Sequence, residues 1–149
     1  SVRGVFAGGY IEPSDVNIID YITISSQGNA TDFGDLTLPR MVGGGCSNST
    51  RGVIGGGDPT PGTQTNIIDY VTIATIGDAA DFGDLTSARR DVDAASSPTR
   101  AIFVGGDTPT LVNTIDYVEI LTTGDAVDFG DQTVKRDRLS ACSNGHGGL

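Results

Sequence analysis

The same order of apolar and polar positions occurs three times along the chain. Each copy is rich in β-branched and aromatic residues, and it places apolar side chains on both faces of an extended segment. In the first copy Ile19 and Tyr21 share one face, and Ile22 and Ile24 share the other. Such a segment predicts a strand in a sheet that is covered on both sides. The shared pattern is Asn-x-Ile-Asp-Tyr-x-x-Ile, at residues 17–24, 66–73 and 113–120.

Three further strands are predicted around that segment in each unit. A first strand follows each repeated Arg, as in Met41 to Cys46. A second strand begins after another Arg and ends at two glycines, where the chain needs a positive φ or a close approach of the backbone. A fourth and weaker strand is the Phe-Gly-Asp-Leu-Thr run. The second strands are at 4–6, 52–54 and 101–103, and the glycine pairs are Gly8-Gly9, Gly56-Gly57 and Gly105-Gly106.

The length of the repeat indicates the architecture. The equivalent tyrosines are 49 and 47 residues apart. Four strands in a unit of this length, stacked between like units, are typical of a β-propeller blade. We therefore predict an all-β fold, a single β-propeller segment over residues 1–149 with three four-stranded blades. The expected blades cover approximately residues 1–38, 39–87 and 88–134.

The order of strands at the two ends predicts how the ring closes. The chain opens on a second strand at Arg3 to Phe6, and its last predicted element, Leu139 to Ser143, is a first strand. Three blades are too few for closure, because propellers typically have four to eight. We expect half of a six-bladed ring, in which residues 139–149 of a neighbouring copy or of a longer parent chain complete the first blade. The expected partner is therefore the chain itself, by strand exchange between blades.

Composition and charge narrow the classes of function. Asp outnumbers Glu 17 to 2, Gly occurs 22 times and Lys once, so good helix formers are scarce and an all-α protein is excluded. The formal net charge of −10 argues against nucleic acid or an anionic membrane surface as a partner, since no basic patch is available. No apolar run approaches the roughly 20 residues of a membrane-spanning helix.

The unit resembles the repeat of the kelch family of β-propellers. The resemblance rests on the double glycine that ends the second strand, on the later Tyr and on the Arg before the next first strand. It departs in one feature, because kelch repeats usually carry a Trp after the Tyr, and here no Trp exists but a Phe recurs. The amino-acid sequence of the repeats looks like that of repeats in long proteins of marine phages and environmental bacteria. Some of those proteins look virion- or tail-associated. The residues concerned are Tyr21, Tyr70 and Tyr117, Arg40, Arg89 and Arg136, and Phe33, Phe82 and Phe129.

The near-identity of the units favours a non-enzymatic structural or adhesion module. An enzyme tends to break the symmetry of its repeats where its chemistry takes place. The expected setting is a virion fibre or another extracellular assembly, with no cofactor and with loops 12–16 and 58–65 as the contact surface. The partner would be another structural protein or, in the alternative reading, a glycan bound by a lectin-like propeller. Tyr10 is the one aromatic residue outside the repeated positions and the second strands.

A third hypothesis is an enzyme fragment of the galactose-oxidase type, whose central domain is kelch-like. The copper of such an enzyme needs His and Tyr ligands, and His146 is the only histidine of this chain. A copper site, or a zinc site of the usual composition, is therefore not expected. Cys46 and Cys142 occupy equivalent positions, each six residues after its Arg, and we expect both to be buried free thiols.

Acidic residues recur at two kinds of position. A hard cation such as calcium wants several oxygen ligands on a flexible loop, so acids spaced by three are its candidate ligands. The alternative role for them is to cap backbone N–H groups in turns. The candidates are Asp78, Asp81, Asp84, Asp125, Asp128 and Asp131, and Asn29 replaces the first acid of the first unit.

A second set of acids lies in the middle of the third strands, where Asp is disfavoured. An Arg recurs with it in every unit, so we predict structural ion pairs between strands or blades rather than catalytic groups. The acids are Asp20, Asp69 and Asp116, and the arginines are Arg40, Arg89 and Arg136.

Overall fold

The chain folds into β-structure. The computed structural model describes residues 2–60 and 62–145, and these contain no helix, which confirms the predicted all-β class. Among these residues no helix is therefore long and apolar enough to cross a membrane. The strands are β1 (Arg3–Ala7), β2 (Tyr10–Ile11), β3 (Ser14–Asp15), β4 (Ile18–Thr23), β5 (Thr31–Asp35), β6 (Gly44–Ser47), β7 (Arg51–Gly55), β8 (Ile67–Thr72), β9 (Ala80–Asp84), β10 (Asp93–Ser96), β11 (Arg100–Val104), β12 (Thr114–Glu119) and β13 (Val127–Asp131).

Each repeat forms one antiparallel sheet. Sheet 1 has the order β1-β4-β5, sheet 2 the order β6-β7-β8-β9, and sheet 3 the order β10-β11-β12-β13. The remaining strands, β2 and β3, form a small hairpin between β1 and β4. Sheets 2 and 3 thus have the four strands predicted for a unit. Sheet 1 has three, because within the described residues no strand pairs with the free edge of β1.

The first strand of the second unit is shorter than predicted. It covers Gly44–Ser47 rather than Met41 to Cys46. Met41 forms only an isolated bridge with Asp58, and Val42 then takes a positive φ of 52° that interrupts the extended backbone. This turn brings the following strand beside β7, at one edge of the sheet.

A β-bulge lies next to the central Asp of each third strand. The pairing of β8 with β9 shifts register between Ile68 and Asp69, and β4 and β12 show the same shift at the equivalent positions. A bulge re-aims a side chain and interrupts the regular ladder, which explains why Asp occurs inside these strands. The fourth strand begins earlier than predicted and ends at Asp84, so that Leu85 and Thr86 leave the sheet toward the next one.

The glycine pairs take the predicted positive φ values. Gly56 has a φ of 70° and Gly57 a φ of 115°. A Cβ atom on Gly56 would lie 2.7 Å from the carbonyl oxygen of Arg89, so only glycine fits this turn. The N–H of Gly57 donates to the same oxygen at 2.9 Å, which ties the end of β7 to the start of the next unit.

The apolar core lies in two layers between the sheets. In each layer, residues from one face of a sheet pack against the opposite face of the next sheet, so the sheets stack in chain order. The layer between sheets 1 and 2 contains Ile19, Phe33, Leu36 and Val71. The layer between sheets 2 and 3 contains Val53, Ile68, Phe82, Leu85, Ala94, Ala101, Phe103, Val118, Ile120 and Ala126.

Candidate functional site

A polar cluster of one Asp, one Thr and one Arg, here called the clamp, joins sheet 2 to sheet 3. Asp116 accepts hydrogen bonds from the backbone N–H of Thr86 at 3.0 Å and from its hydroxyl at 2.7 Å. The guanidinium of Arg89 lies 2.8 Å from the same carboxylate. Both charged side chains are fully buried, at 0% exposure. Because the carboxylate has further donors besides the Arg, the desolvation of the pair is partly compensated.

The same clamp joins sheet 1 to sheet 2. Asp69 accepts from the N–H of Thr37 at 3.1 Å and from its hydroxyl at 2.6 Å. Arg40 lies 3.1 Å from the carboxylate of Asp69. The predicted pairing of the repeated Asp with the repeated Arg is therefore confirmed at both junctions, and each pair connects one unit to the next.

The two clamps differ in how well the Arg is satisfied. Arg89 also donates to the carbonyl oxygens of Phe103, at 3.3 Å, and Thr114, at 3.4 Å. Arg40 donates to the carbonyl of Ile54 at 3.1 Å. In the described part of the chain its Nε and Nη1 have no partner, whereas Arg89 has one such atom, its Nε. Burial lowers the pKa of both arginines, and the facing aspartate opposes that change. The clamp at sheet 1 is thus the less complete of the two.

The repeated aromatic residues pack within each unit. The rings of Tyr70 and Phe82 meet edge to face, with centroids 5.9 Å apart, and the guanidinium of Arg51 lies 4.5 Å from the centre of the tyrosine ring. Arg51 also donates to the carbonyl of Ile120 in the next sheet at 3.1 Å. The other two units repeat the same ring pair and the same stacked Arg. These groups therefore hold the sheets together.

The acids proposed as calcium ligands make hydrogen bonds to the backbone. Asp78 accepts from the N–H of Asp35 in the preceding sheet at 3.0 Å, and Asp125 accepts from the N–H of Asp84 at 3.1 Å. Asp128 accepts from Gly130 in its own turn at 3.0 Å. Within residues 2–60 and 62–145 no three His, Cys, Asp or Glu side chains are grouped as a cation would need, so Asp81, Asp84 and Asp131 do not join the others in one site.

A buried Asp organises the loop over residues 58–65, and the sequence analysis missed it. The carboxylate of Asp58 accepts from the backbone N–H groups of Thr60 and Gly62, each at 3.2 Å. Arg90 from the next unit lies 2.9 Å from the same carboxylate. The signal was available, since an Asp directly follows the glycine pair in two of the units.

The two cysteines have different environments, and the expectation that both are buried is wrong, since neither is fully buried. Cys46 is half-buried, and burial raises the pKa of its thiol to about 12. Cys142 is exposed, because within the described residues its segment has a neighbouring sheet on one side only. His146, the histidine considered as a copper ligand, lies outside the described residues.

The outer surfaces of sheets 1 and 3 carry the same residue types as the junctions, but these residues are open. On sheet 1, Val5 and Ala7 face sheet 2, so Phe6 and its cross-strand neighbour Asp20 face outward. We call this surface the leading face, and Phe6 is 55% exposed on it. The opposite surface of sheet 3 is the trailing face. It carries Phe129, Thr133 and Arg136, which are all exposed.

The repeated phenylalanine shows most directly how the junctions differ from the open faces. Phe33 and Phe82, which lie at the two junctions, are 1% and 2% exposed, whereas Phe129 on the trailing face is 56% exposed. Neither a protein-family model nor a curated protein matches this chain.

Proposed function

We propose that the three sheets are blades of a kelch-like β-propeller, and that the chain is a non-enzymatic structural or adhesion module of a virion fibre or extracellular assembly. The observation that carries the proposal is the clamp, which recurs with the same atoms at both junctions. The repeated charged and aromatic residues are used in joining sheets. The repeat therefore supports rigid stacking rather than a chemical step at each blade.

The loops that differ between units supply the contact surface in this proposal. The β2–β3 hairpin occurs in the first unit alone among the described residues, and it exposes Tyr10 and Ile11. The loop over residues 58–65 is fixed from beneath by Asp58. A rigid base with variable loops suits the display of a binding surface.

The tolerance of these loops tests the scaffold role. The double substitution Tyr10→Ser, Ile11→Ser should change the melting temperature by less than about 2 °C, because both side chains are exposed. The same variant should lose adhesion to the surface or partner that the unmodified protein binds. A matched core variant, Tyr21→Ser, should unfold the sheet instead. Loss of stability in the hairpin variant would contradict a role in display.

A lectin-like propeller is the second candidate, and the exposure of Tyr10 is the observation that favours it. An exposed aromatic ring can stack on the apolar face of a sugar. A glycan array probed with the purified protein separates the two functions. Binding of one glycan class that Tyr10→Ser abolishes and Tyr10→Phe retains would establish the lectin. An array without hits would favour the structural module.

A further inference from the structure

We propose that the trailing face of sheet 3 docks on the leading face of sheet 1 in a second copy of the chain, head to tail, so that two copies close a ring of six blades. The inference rests on the proposed propeller and adds to it the partner and the interface. A ring of six blades lies within the usual range of four to eight.

The first argument is that the open clamp groups are complementary. At the two junctions an Asp of the following sheet meets a Thr and an Arg of the preceding one. Asp20 occupies the Asp position and is half-buried on the leading face. Thr133 and Arg136 occupy the other two positions and are exposed on the trailing face. Each face therefore has the half of the clamp that the other one lacks.

The second argument is the course of the segment over residues 139–145. The backbone enters it through Arg138, whose φ of 49° repeats the positive φ of Val42 and Asp91 before β6 and β10. Arg138 N–H then donates to Asp91 O at 3.1 Å, just as Asp91 N–H donates to Val42 O at 2.9 Å. The segment thus leaves sheet 3 as β6 leaves sheet 1 and as β10 leaves sheet 2. In the proposed ring β6, β10 and this segment are the inner strands.

The same segment also runs beside β10 as β10 runs beside β6. The hydroxyl of Ser96 donates to the carbonyl of Ser47 at 2.7 Å, and the hydroxyl of Ser143 donates to the carbonyl of Ser96. An inner strand in this place has a β-strand of its own sheet on its outer side. In the described part of the chain the segment has no such strand. It is therefore placed as the inner strand of a following blade.

The third argument is that sheet 1, in the part of the chain that the structure describes, has no such inner strand. The free edge of β1 corresponds to the edges at which β7 pairs with β6 and β11 pairs with β10. A groove of about 280 Å³ lies there, lined by Arg3, Val5 and Ala7 on one side and by residues of β6 and β7 on the other. A second groove of about 280 Å³ lies between Cys142 and Phe129 at the trailing face. The inner strand of one copy fits the first, and β1 of the other fits the second.

The closing junction differs from the junction between sheets 2 and 3 at two core positions, because Gln132 stands where that junction has Leu85 and Val104 stands where it has Gly55. Phe103 packs over Gly55, where a Cβ atom would lie 2.7 Å from its ring. The equivalent of Gly55 in sheet 3 is Val104, so Phe6 of a second copy cannot take the same position. We expect its ring to turn away from Val104 while the clamp and the strand pairing are kept.

The mass of the 149-residue chain in solution is the first test. Analytical ultracentrifugation should give a particle of twice the 15.3 kDa chain mass. Arg136→Glu, on the trailing face, and Asp20→Lys, on the leading face, should each reduce it to the mass of one folded chain. The matched controls are Lys135→Glu and Glu12→Lys, which make the same charge changes at exposed positions outside the clamp and should leave the dimer intact.

Mixing the two clamp variants tests the head-to-tail arrangement. A one-to-one mixture should regain the dimer, because one junction then has two unmodified faces and the other has its two charges reversed together. With one variant labelled with ¹⁵N, native mass spectrometry should show that this dimer contains one copy of each. A face-to-face dimer would gain nothing from mixing. A one-to-one mixture that stays monomeric would therefore overturn the proposal.

A measurement on the unmodified chain covers the case in which a variant does not fold. Hydrogen exchange should show protection of β1 amides at high protein concentration and loss of that protection on dilution. A folded monomer at all concentrations, or a dimer that both clamp variants retain, would contradict the inference. Neither outcome would contradict the proposed structural role of the chain. A glycan-array hit would favour the lectin over the structural role, and it would leave the predicted dimer unaffected.

Discussion

The junction between sheets 1 and 2 and the junction between sheets 2 and 3 use the same clamp but are filled to different degrees. At the second junction β6 and β10 lie side by side. Arg89 is fully buried there and donates hydrogen bonds to three oxygen atoms. At the first junction the described residues supply β6 alone, and a cavity of about 100 Å³ lies beside Arg40. The clamp therefore forms without the inner strand, but complete packing around its Arg needs that strand.

This difference shows which contacts belong to the repeat and which depend on its neighbours. The Thr–Asp hydrogen bonds are as short at the first junction as at the second, 2.6 Å and 2.7 Å, because both partners come from complete outer parts of the sheets. The surroundings of the Arg depend on the inner strand. If a second copy supplies that strand to sheet 1, the environment of Arg40 should approach that of Arg89.

Removing the Arg of each clamp should give the largest effect and should separate the junctions. Arg89→Ala leaves Asp116 buried without its counterion, which costs about 3–5 kcal/mol of unfolding free energy. Arg40→Ala should cost less in a dilute, unassociated chain, because loss of the Arg side chain would extend the cavity beside it toward Asp69 and let water reach the carboxylate. Urea unfolding of both variants measures the difference. Equal losses would mean that the two clamps are equally dry and that the comparison between them fails.

The repeated Phe gives the next largest effect and compares a junction with an end face. Phe82→Ala should cost about 3 kcal/mol, since the ring is buried in the core between sheets 2 and 3. Phe129→Ala should cost the dilute chain less, about 1 kcal/mol, because this ring is more than half exposed and loses mainly its edge-to-face contact with Tyr117. Thermal unfolding of the two variants provides the measurement. A large loss from Phe129→Ala in the monomer would show that the trailing face is already packed.

The clamp threonines should give a smaller effect of the same kind. Thr86→Val removes the hydroxyl that donates to Asp116 and keeps the shape of the side chain, so a loss of about 1.5–3 kcal/mol is expected for a bond to a charged group. Thr133→Val should leave the unassociated chain unchanged and weaken its dimer. Unfolding and sedimentation measured on both variants distinguish the two effects. If neither variant changes either quantity, the hydroxyl has no energetic role in the clamp.

The periodic part of the fold could be predicted from sequence because each strand carries its own apolar pattern. The third strands and the glycine turns were found in this way, and the pairing of Asp69 with Arg40 followed from their joint recurrence. The bulge beside Asp69 could not be predicted, since it depends on how β8 pairs with β9. The buried role of Asp58 likewise depends on Arg90, which reaches it from the next unit.

The exposure of Cys142 shows the limit of arguing by equivalence between repeats. Cys46 and Cys142 hold the same position in the repeat, and the sequence therefore predicted the same burial for both. Cys46 has the next inner strand beside it, with Asp93 and Ser96 close enough to affect its pKa. Cys142 lacks the equivalent neighbour within the described residues. Burial in a repeat protein is set by the neighbouring unit as much as by the residue itself.

Alkylation of the two cysteines is the mildest test of the comparison, because it changes no residue. The thiolate is the reactive form, and a pKa of about 12 leaves Cys46 almost fully protonated at pH 8, so iodoacetamide should modify it very slowly. Cys142 should react quickly in dilute protein and more slowly at concentrations where a second copy covers its segment. Peptide mass spectrometry over time, with urea-unfolded protein as the reference for full reactivity, gives both rates. Fast labelling of Cys46 in the folded chain would show that the layer between β6 and β10 opens readily. A rate for Cys142 that does not depend on protein concentration would place its segment outside any contact between copies.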